Sequence, residues 1–296
     1  LKIFVYEHVT GGGFRGEPLP ESMTHEGESM LRALARDLSS IAGIEVVTCR
    51  DSRLPPLVFP TVFDFERCMQ EADAVWPIAP ETGGSLERVS RHILQCGKVL
   101  LGSEPGTVRV TASKLQTSRA LAQAEIAVAP TFGSEEETPS SSSGWVVKPN
   151  DGAGCLNTRF FRSRQEAMRF AQAQGHVLQP YVAGKPCSLS ILCRKGEAQL
   201  LSCNRQRIRI EDGRFEFLGC EVNSFEDERG DLSRVASRIA STLPGLWGYC
   251  GVDFMQTETG PVIIEVNPRL TTSYVGLSDA LGENVAGLVL GLLGNR

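Results

Sequence analysis

The feature that most constrains the fold is the order of signals in the first hundred residues, where strand patterns and helix patterns alternate. Residues 3–6 read as a strand running into Thr10-Gly11-Gly12-Gly13, after which Met30, Leu31, Leu34 and Leu38 recur at helical spacing. Glu45-Val46-Val47-Thr48 is a second short strand, residues 63–71 a helix, and Ala74-Val75-Trp76 a third strand. That strand ends in Pro77-Ile78-Ala79-Pro80-Glu81-Thr82-Gly83-Gly84, and a helix through Leu94 and the strand Val99-Leu100-Leu101 follow. This order predicts a parallel sheet covered on both faces. Ligands on such sheets bind beyond the carboxyl ends of the strands, where both glycine-bearing loops, 10–13 and 83–84, fall.

The remaining chain has another character. Ser113 followed three residues later by Gln116 fits a helix-capping box. Residues 134–144 form a polar, serine-rich stretch that reads as a mobile surface loop. Strand signals at 145–148, 177–179, 188–193, 199–203, 251–255 and 262–266 suggest a sheet of antiparallel character with helices.

A length of 296 residues suggests two domains or one large subdivided α/β unit. A hydrophobic share of 41% supplies a sizeable core, and a net charge of −5 without a basic run argues against nucleic acid as a partner. Nine cysteines are scattered with no C-x-x-C pair and no histidine at metal spacing, which argues against a disulfide framework and for buried thiols in a reducing cytosol. The apolar start, residues 1–5, is too short for a signal peptide, and residues 285–293 are too short to span a membrane. A cytoplasmic protein is expected.

The strongest chemical signal is a hairpin. Gly251-Val252-Asp253-Phe254-Met255-Gln256 and Pro261-Val262-Ile263-Ile264-Glu265-Val266-Asn267 flank Thr257-Glu258-Thr259-Gly260. A three-residue loop of Glu258-Thr259-Gly260 puts Thr257 opposite Pro261 and Asp253 opposite Glu265, with Asn267 on the same face. Like charges facing each other are unfavourable in a sheet, so a cation should offset them. Two carboxylates and an amide suit Mg²⁺, which completes its shell with water and phosphate oxygens.

Trp145-Val146-Val147-Lys148-Pro149 ends a strand with a lysine, and Asn150-Asp151-Gly152-Ala153-Gly154 follows. Glycine-rich loops let backbone N–H groups approach phosphate oxygens, and a neighbouring lysine adds a point charge. The spacing matches neither the Walker pattern nor the dinucleotide fingerprint. Val177-Leu178-Gln179-Pro180-Tyr181-Val182-Ala183-Gly184 reads as a strand entering a connection, a segment that can offer backbone groups to a base.

Taken in order, Lys114, Val147-Lys148-Pro149 with its glycine loop, Gln179-Pro180-Tyr181-Val182, Gly251-Val252-Asp253 and Glu265-Val266-Asn267-Pro268-Arg269 resemble the ATP-grasp superfamily over residues 104–296. The resemblance implies an α/β (α+β) fold: an N-terminal parallel-sheet pre-ATP-grasp domain over 1–103, then a two-lobed ATP-grasp domain over 104–296. The nucleotide lobe would cover about 104–180 and the metal-bearing lobe about 181–296. It further implies that Lys114, Lys148, Gly152 and Gly154 contact ATP phosphates, that Gln179, Tyr181 and Val182 hold adenine, and that Asp253, Glu265 and Asn267 ligate Mg²⁺, with Mn²⁺ as a second candidate. Arg269 and Lys148 would be catalytic, Arg269 steadying the transferring phosphate. The family's ribose carboxylate has no counterpart in Gly184-Lys185-Pro186-Cys187-Ser188, so ribose contacts must differ.

Within the superfamily the chain looks most like the tyramine–L-glutamate ligase group of methanofuran biosynthesis, through Trp76–Gly84, Leu101-Gly102-Ser103, Asn204-Arg205-Gln206 and Asn267-Pro268-Arg269-Leu270-Thr271-Thr272-Ser273. The implied chemistry is ADP-forming: a carboxylate attacks the γ-phosphate, and an amine then attacks the acyl phosphate. Thr271, Thr272 and Ser273 would line the substrate site, and Glu7 or Glu81, at strand ends, would hold an ammonium group. The partners are then a small carboxylate and an amine, with a homodimer as a candidate assembly. Two alternatives stand beside this: a ligase for another amino-acid or cofactor pair, and a nucleotide-binding regulatory protein without turnover.

Overall fold

The alternation of the first hundred residues folds as a parallel sheet of β1 (Lys2–Glu7), β2 (Glu45–Cys49), β3 (Thr61–Val62), β4 (Ala74–Ile78) and β5 (Val99–Leu100), in the order β3-β2-β1-β4-β5. The structure is a computed structural model that describes residues 1–62, 64–152 and 154–295. Successive residues of β1 serve opposite faces: Ile3 and Val5 enter the core beneath helix α1 (Glu21–Ser39), while Phe4 and Tyr6 enter the core beneath α2 (Phe65–Glu71) and α3 (Ser85–Gln95). Burial on both sides is what a parallel sheet requires. The helix expected over 63–71 begins at Phe65, because Asp64 caps it by accepting the Arg67 N–H at 3.2 Å; Phe63 lies outside the described residues.

The core under α1 does not stop at this sheet. Leu31, Leu34, Leu38 and Trp76 pack in one cluster with Tyr249, Leu270, Tyr274, Leu277, Val285 and Val289 from the end of the chain, which includes α8 (Leu277–Leu281) and α9 (Val285–Gly291). A buried polar contact reinforces it. Asp37 of α1 accepts from Tyr274 Oη at 2.9 Å and Ser278 Oγ at 2.6 Å, and Asn284 Nδ2 donates to the Asp37 carbonyl at 2.8 Å.

Helices α4 (Pro105–Ala112) and α5 (Lys114–Gln123) lead to an eight-stranded antiparallel sheet. Ser113 caps α5 by accepting the Gln116 N–H at 3.2 Å. The strands are β6 (Trp145–Lys148), β7 (Arg159–Phe161), β8 (Val177–Pro180), β9 (Lys185–Arg194), β10 (Glu197–Glu211), β11 (Arg214–Phe225), β12 (Gly248–Thr257) and β13 (Gly260–Asn267), ordered β13-β12-β9-β10-β11-β7-β6-β8. Helix α6 (Arg164–Gln174) covers the β6 and β8 end around Trp145, Val147 and Leu178. Helix α7 (Asp231–Thr242) packs on β10 and β9 through Leu232, Ala236 and Ile239. The two ends join through β7 and β11, whose register holds the single pair Arg214↔Arg159. Among the described residues no helix is long and apolar enough to cross a membrane.

Candidate functional site

The hairpin of β12 and β13 sets Asp253 opposite Glu265, as its sequence predicts, but by a different route. Thr257 faces Gly260 and Gln256 faces Pro261, so the loop is the two residues Glu258 and Thr259. An irregularity between Asp253 and Phe254 then leaves Ile264 unpaired and restores the carboxylates to facing positions. Gly260 takes φ 123°, which favours glycine, at the turn exit.

Burial and the facing Glu265 push the Asp253 carboxyl up to about 6, although Asn267 and Gln206 pull it down. Asn267 Nδ2 donates to Asp253 Oδ2 at 3.1 Å and Gln206 Nε2 to Oδ1 at 2.8 Å. Glu265 accepts from Lys114 Nζ at 3.1 Å. A carboxylate pair this unfavourable fits a hard cation, and Asp253, Glu265 and the Asn267 amide oxygen form an oxygen donor set for one.

Lys114, at the start of α5, also donates to the Gly152 carbonyl, so this one ammonium joins the hairpin to the glycine loop. Lys148 ends β6 and is buried; desolvation and the Lys114 charge lower its ammonium to about 8, against the pull of Glu265 and Asp253. The glycine loop also meets the first domain's loop: Gly83 N–H donates to Asp151 Oδ2 at 2.9 Å and Thr82 Oγ1 to the Asp151 carbonyl at 3.1 Å. Ala153 lies outside the described residues.

Arg269 follows β13 and reaches back 188 residues to grip Glu81, with Nε to Oε1 at 2.9 Å and Nη2 to Oε2 at 2.8 Å. Burial works against the Arg269 charge, but Glu81 holds its guanidinium above the ordinary value. Beyond Arg269, Thr271 and Ser273 join a buried hydroxyl cluster. Tyr249 Oη lies 3.0 Å from Ser190 Oγ, 3.1 Å from Thr271 Oγ1 and 3.0 Å from Ser273 Oγ.

One cavity of about 810 Å³ runs between the two sheets. It is bordered by Lys148, Gly154, Gln179, Tyr181 and Val182, by Asp253, Glu265, Asn267 and Arg269, and by Glu7, Thr271, Thr272 and Ser273. Lys114, Gly152 and Glu81 stand behind this lining, linked to it by the contacts above. At the far end Gln179 Nε2 donates to Thr131 Oγ1 at 2.8 Å, and the Tyr181 N–H donates to the Gly144 carbonyl at 2.9 Å. Glu7 is buried, which raises its carboxyl, and its two oxygens accept the N–H groups of Val9 at 3.1 Å and Thr10 at 2.6 Å. A methyl at Gly27 would lie 2.5 Å from Glu7 Cδ. Gly27→Ala is therefore expected to cost about 1–3 kcal/mol through overpacking, read as a lower urea midpoint at unchanged m-value.

Sequence reasoning did not assign Gln206, which pins Asp253, or Glu26, which borders the cavity from α1. It also left Tyr249, Ser190 and Asn204 without a role, although Asn204 Nδ2 donates to Ser190 Oγ at 3.2 Å. Each lies inside a regular strand or helix; the one signal was the stretch Asn204-Arg205-Gln206 on β10, which carries part of the narrower resemblance without pointing to a role for any of its side chains.

Comparison with known proteins agrees with this architecture. A family model described as an ATP-grasp domain matches residues 111–273, and one described as a pre ATP-grasp 3 domain matches residues 44–108. The tyramine–L-glutamate ligase of Methanocaldococcus jannaschii is 27% identical over 208 residues, 70% of this chain and 59% of that protein. The chain thus spans less than two thirds of that relative's length. The tyramine–L-glutamate ligase of Methanocaldococcus fervens is 25% identical over 293 residues, 93% of this chain and 89% of its own. A solved ATP-grasp superfamily protein from Archaeoglobus fulgidus superposes with a TM-score of 0.77 at 26% identity, over 98% of this chain and 88% of that one.

Proposed function

Since the chain belongs to the ATP-grasp family, we propose that it is an ADP-forming carboxylate–amine ligase. In this reading residues 1–103 act as the pre-ATP-grasp domain and 104–296 as the ATP-grasp domain. The carboxylate is glutamate and the acceptor tyramine or a related primary amine, as in methanofuran-type cofactor synthesis; the two tyramine–L-glutamate ligases among its relatives support that pair. The observation that carries the ligase reading is the meeting of Lys148, the facing Asp253 and Glu265, Asn267 and Arg269 on one cavity.

These residues have distinct parts to play. Lys148 and the glycine loop would receive ATP phosphates, with Lys114 fixing the loop from behind. Gln179, Tyr181 and Val182 border the end of the cavity suited to adenine. Asp253, Glu265 and Asn267 would hold Mg²⁺, which when bound neutralises charge developing on the phosphate oxygens. Arg269, held by Glu81 and by the Leu270 carbonyl, would offer its two remaining N–H groups to the phosphoryl group in flight. The hydroxyls of Thr271 and Ser273 would orient the carboxylate. Positioning and charge neutralisation then supply most of the rate, since phosphoryl transfer asks for little covalent help from the protein.

The purified chain incubated with ATP, Mg²⁺, glutamate and tyramine is expected to release ADP and phosphate only when both substrates are present. Release of AMP would contradict the mechanism. Nucleotide binding without any ADP, across a panel of amino acids and amines, would favour the regulatory alternative.

A further inference from the structure

Behind the part of the cavity wall formed by Thr271 lies a run of buried polar groups whose hydrogen bonds have a fixed direction. It starts at Asn204 of β10. The Asn223 N–H donates to Asn204 Oδ1 at 2.9 Å, and because a backbone N–H can only donate, this contact fixes which way round the amide sits. Ser202 Oγ donates to the same oxygen at 2.9 Å. The two amide protons then point to Ser188 Oγ at 3.4 Å and Ser190 Oγ at 3.2 Å.

The direction passes outward from there. Ser190 is buried and accepts from Asn204, so its own proton goes to the nearer of its other neighbours, Tyr249 Oη at 3.0 Å rather than Ser273 Oγ at 3.4 Å. Burial raises the Tyr249 hydroxyl, which keeps its proton and donates it onward. Ser273 Oγ, also buried, stands 3.0 Å from Tyr249 Oη and 2.8 Å from Thr271 Oγ1. The path from Ser190 through Tyr249 and Ser273 to Thr271 uses three hydroxyl protons. Thr271 holds the fourth, and its other neighbour, Tyr249 Oη at 3.1 Å, already accepts from Ser190. Of these four residues Thr271 is the one only half-buried, and it borders the cavity. Its rotamer is held as well: a Cβ at Gly251 would lie 2.6 Å from Thr271 Cγ2, so bare β12 backbone packs against that methyl.

We propose that Asn204, Ser190 and Tyr249 are positioning residues that set Thr271 as a hydrogen-bond donor to a carboxylate oxygen of the substrate, with Ser273 acting through Thr271. This rests on the carboxylate-activating reading given above. A carboxylate only accepts, so a hydroxyl that donates to it makes a charge-assisted bond, whereas one with its proton turned inward presents lone pairs to the anion. Hydroxyls linked only to one another could point either way. The Asn223 N–H, at the closed end of the run, removes that freedom.

A double-variant cycle tests the relay. Wild type, Tyr249→Phe, Thr271→Val and the double variant are supplied with ATP, Mg²⁺, an amine and a carboxylate, from panels led by tyramine and glutamate, and ADP release is measured. Thr271→Val is expected to raise the KM for the carboxylate about 10-fold, the scale of one hydrogen bond to a charged group, with the KM for ATP unchanged. Tyr249→Phe should give most of that rise, and the double variant no more than Thr271→Val alone. An unchanged carboxylate KM in Tyr249→Phe overturns the assignment, whatever happens to the urea midpoint, and so do effects that add in the double variant. Ser190→Ala breaks the relay one link earlier and runs the same cycle if Tyr249→Phe does not fold. Wild type that releases no ADP with any carboxylate of the panel removes the ligase reading itself, and the relay with it.

Discussion

Glu265→Gln is expected to lower turnover by about 10²–10³-fold, the range for removing one preorganised charge at a developing transition state, while the protein stays folded. Glu265 takes part in three relations: it faces Asp253, it pairs with Lys114 at 3.1 Å, and it belongs to the oxygen set suited to Mg²⁺. Glutamine keeps an oxygen for Lys114 and removes the repulsion that helps push Asp253 up to about 6. The structural loss is therefore held to about 2 kcal/mol, the scale of one charged hydrogen bond. The loss of function is not cushioned, because an amide cannot supply the negative charge. Steady-state ADP release and urea denaturation of the same preparation separate the two effects, and normal turnover would remove Glu265 from the metal set.

Arg269→Ala should fail in both respects. The Arg269 side chain is 12% exposed and that of Glu81 is 5% exposed, so alanine leaves a carboxylate buried without its partner. Breaking such a pair costs about 3–5 kcal/mol. Arg269→Lys keeps the charge but cannot span both Glu81 oxygens, which the guanidinium does at 2.9 and 2.8 Å. The double variant Arg269→Ala/Glu81→Ala is the informative one. It is expected to regain most of the lost stability, since no charge remains stranded, and to regain none of the turnover. A double variant as unstable as the single would mean that the pair is not what Arg269 contributes to the fold. An active Arg269→Ala protein would refute its role at the phosphate.

The fold was legible where periodicity and burial coincide. Ile3 to Tyr6 alternate between two covered faces, and Leu31, Leu34 and Leu38 mark the buried stripe of α1. The facing of Asp253 and Glu265 was also legible, although a loop read one residue too long was offset by an irregularity at Ile264. Strand irregularities depend on how neighbouring strands twist together, and no local residue pattern announces them. Strand β11 and helix α7 were missed, and for β11 a signal was present. Asp212 and Gly213, with φ 49° and 73°, close β10 onto β11 as an Asp-Gly hairpin turn. The pairing of Arg269 with Glu81 could not be read at all, since it joins groups 188 residues apart and depends on how two domains meet.

The eight-stranded sheet resists parting unequally. Strands β9 and β12 share nine residue pairs, whereas β7 meets β11 at one, flanked by the Phe160 N–H to Gly213 carbonyl bond at 2.7 Å and the Phe215 N–H to Thr158 carbonyl bond at 3.3 Å. Exchanging those two bonds for water costs about 1–3 kcal/mol, a few times thermal energy. Lys148, Gln179 and Tyr181 lie on the far side of that seam, and Asp253, Glu265 and Arg269 on the near side. Within the sheet, the sparsest line of pairing is thus the one that divides the groups suited to ATP from those suited to Mg²⁺ and the phosphoryl group, and Lys114 ties the two sides together across it through Glu265 and the Gly152 carbonyl.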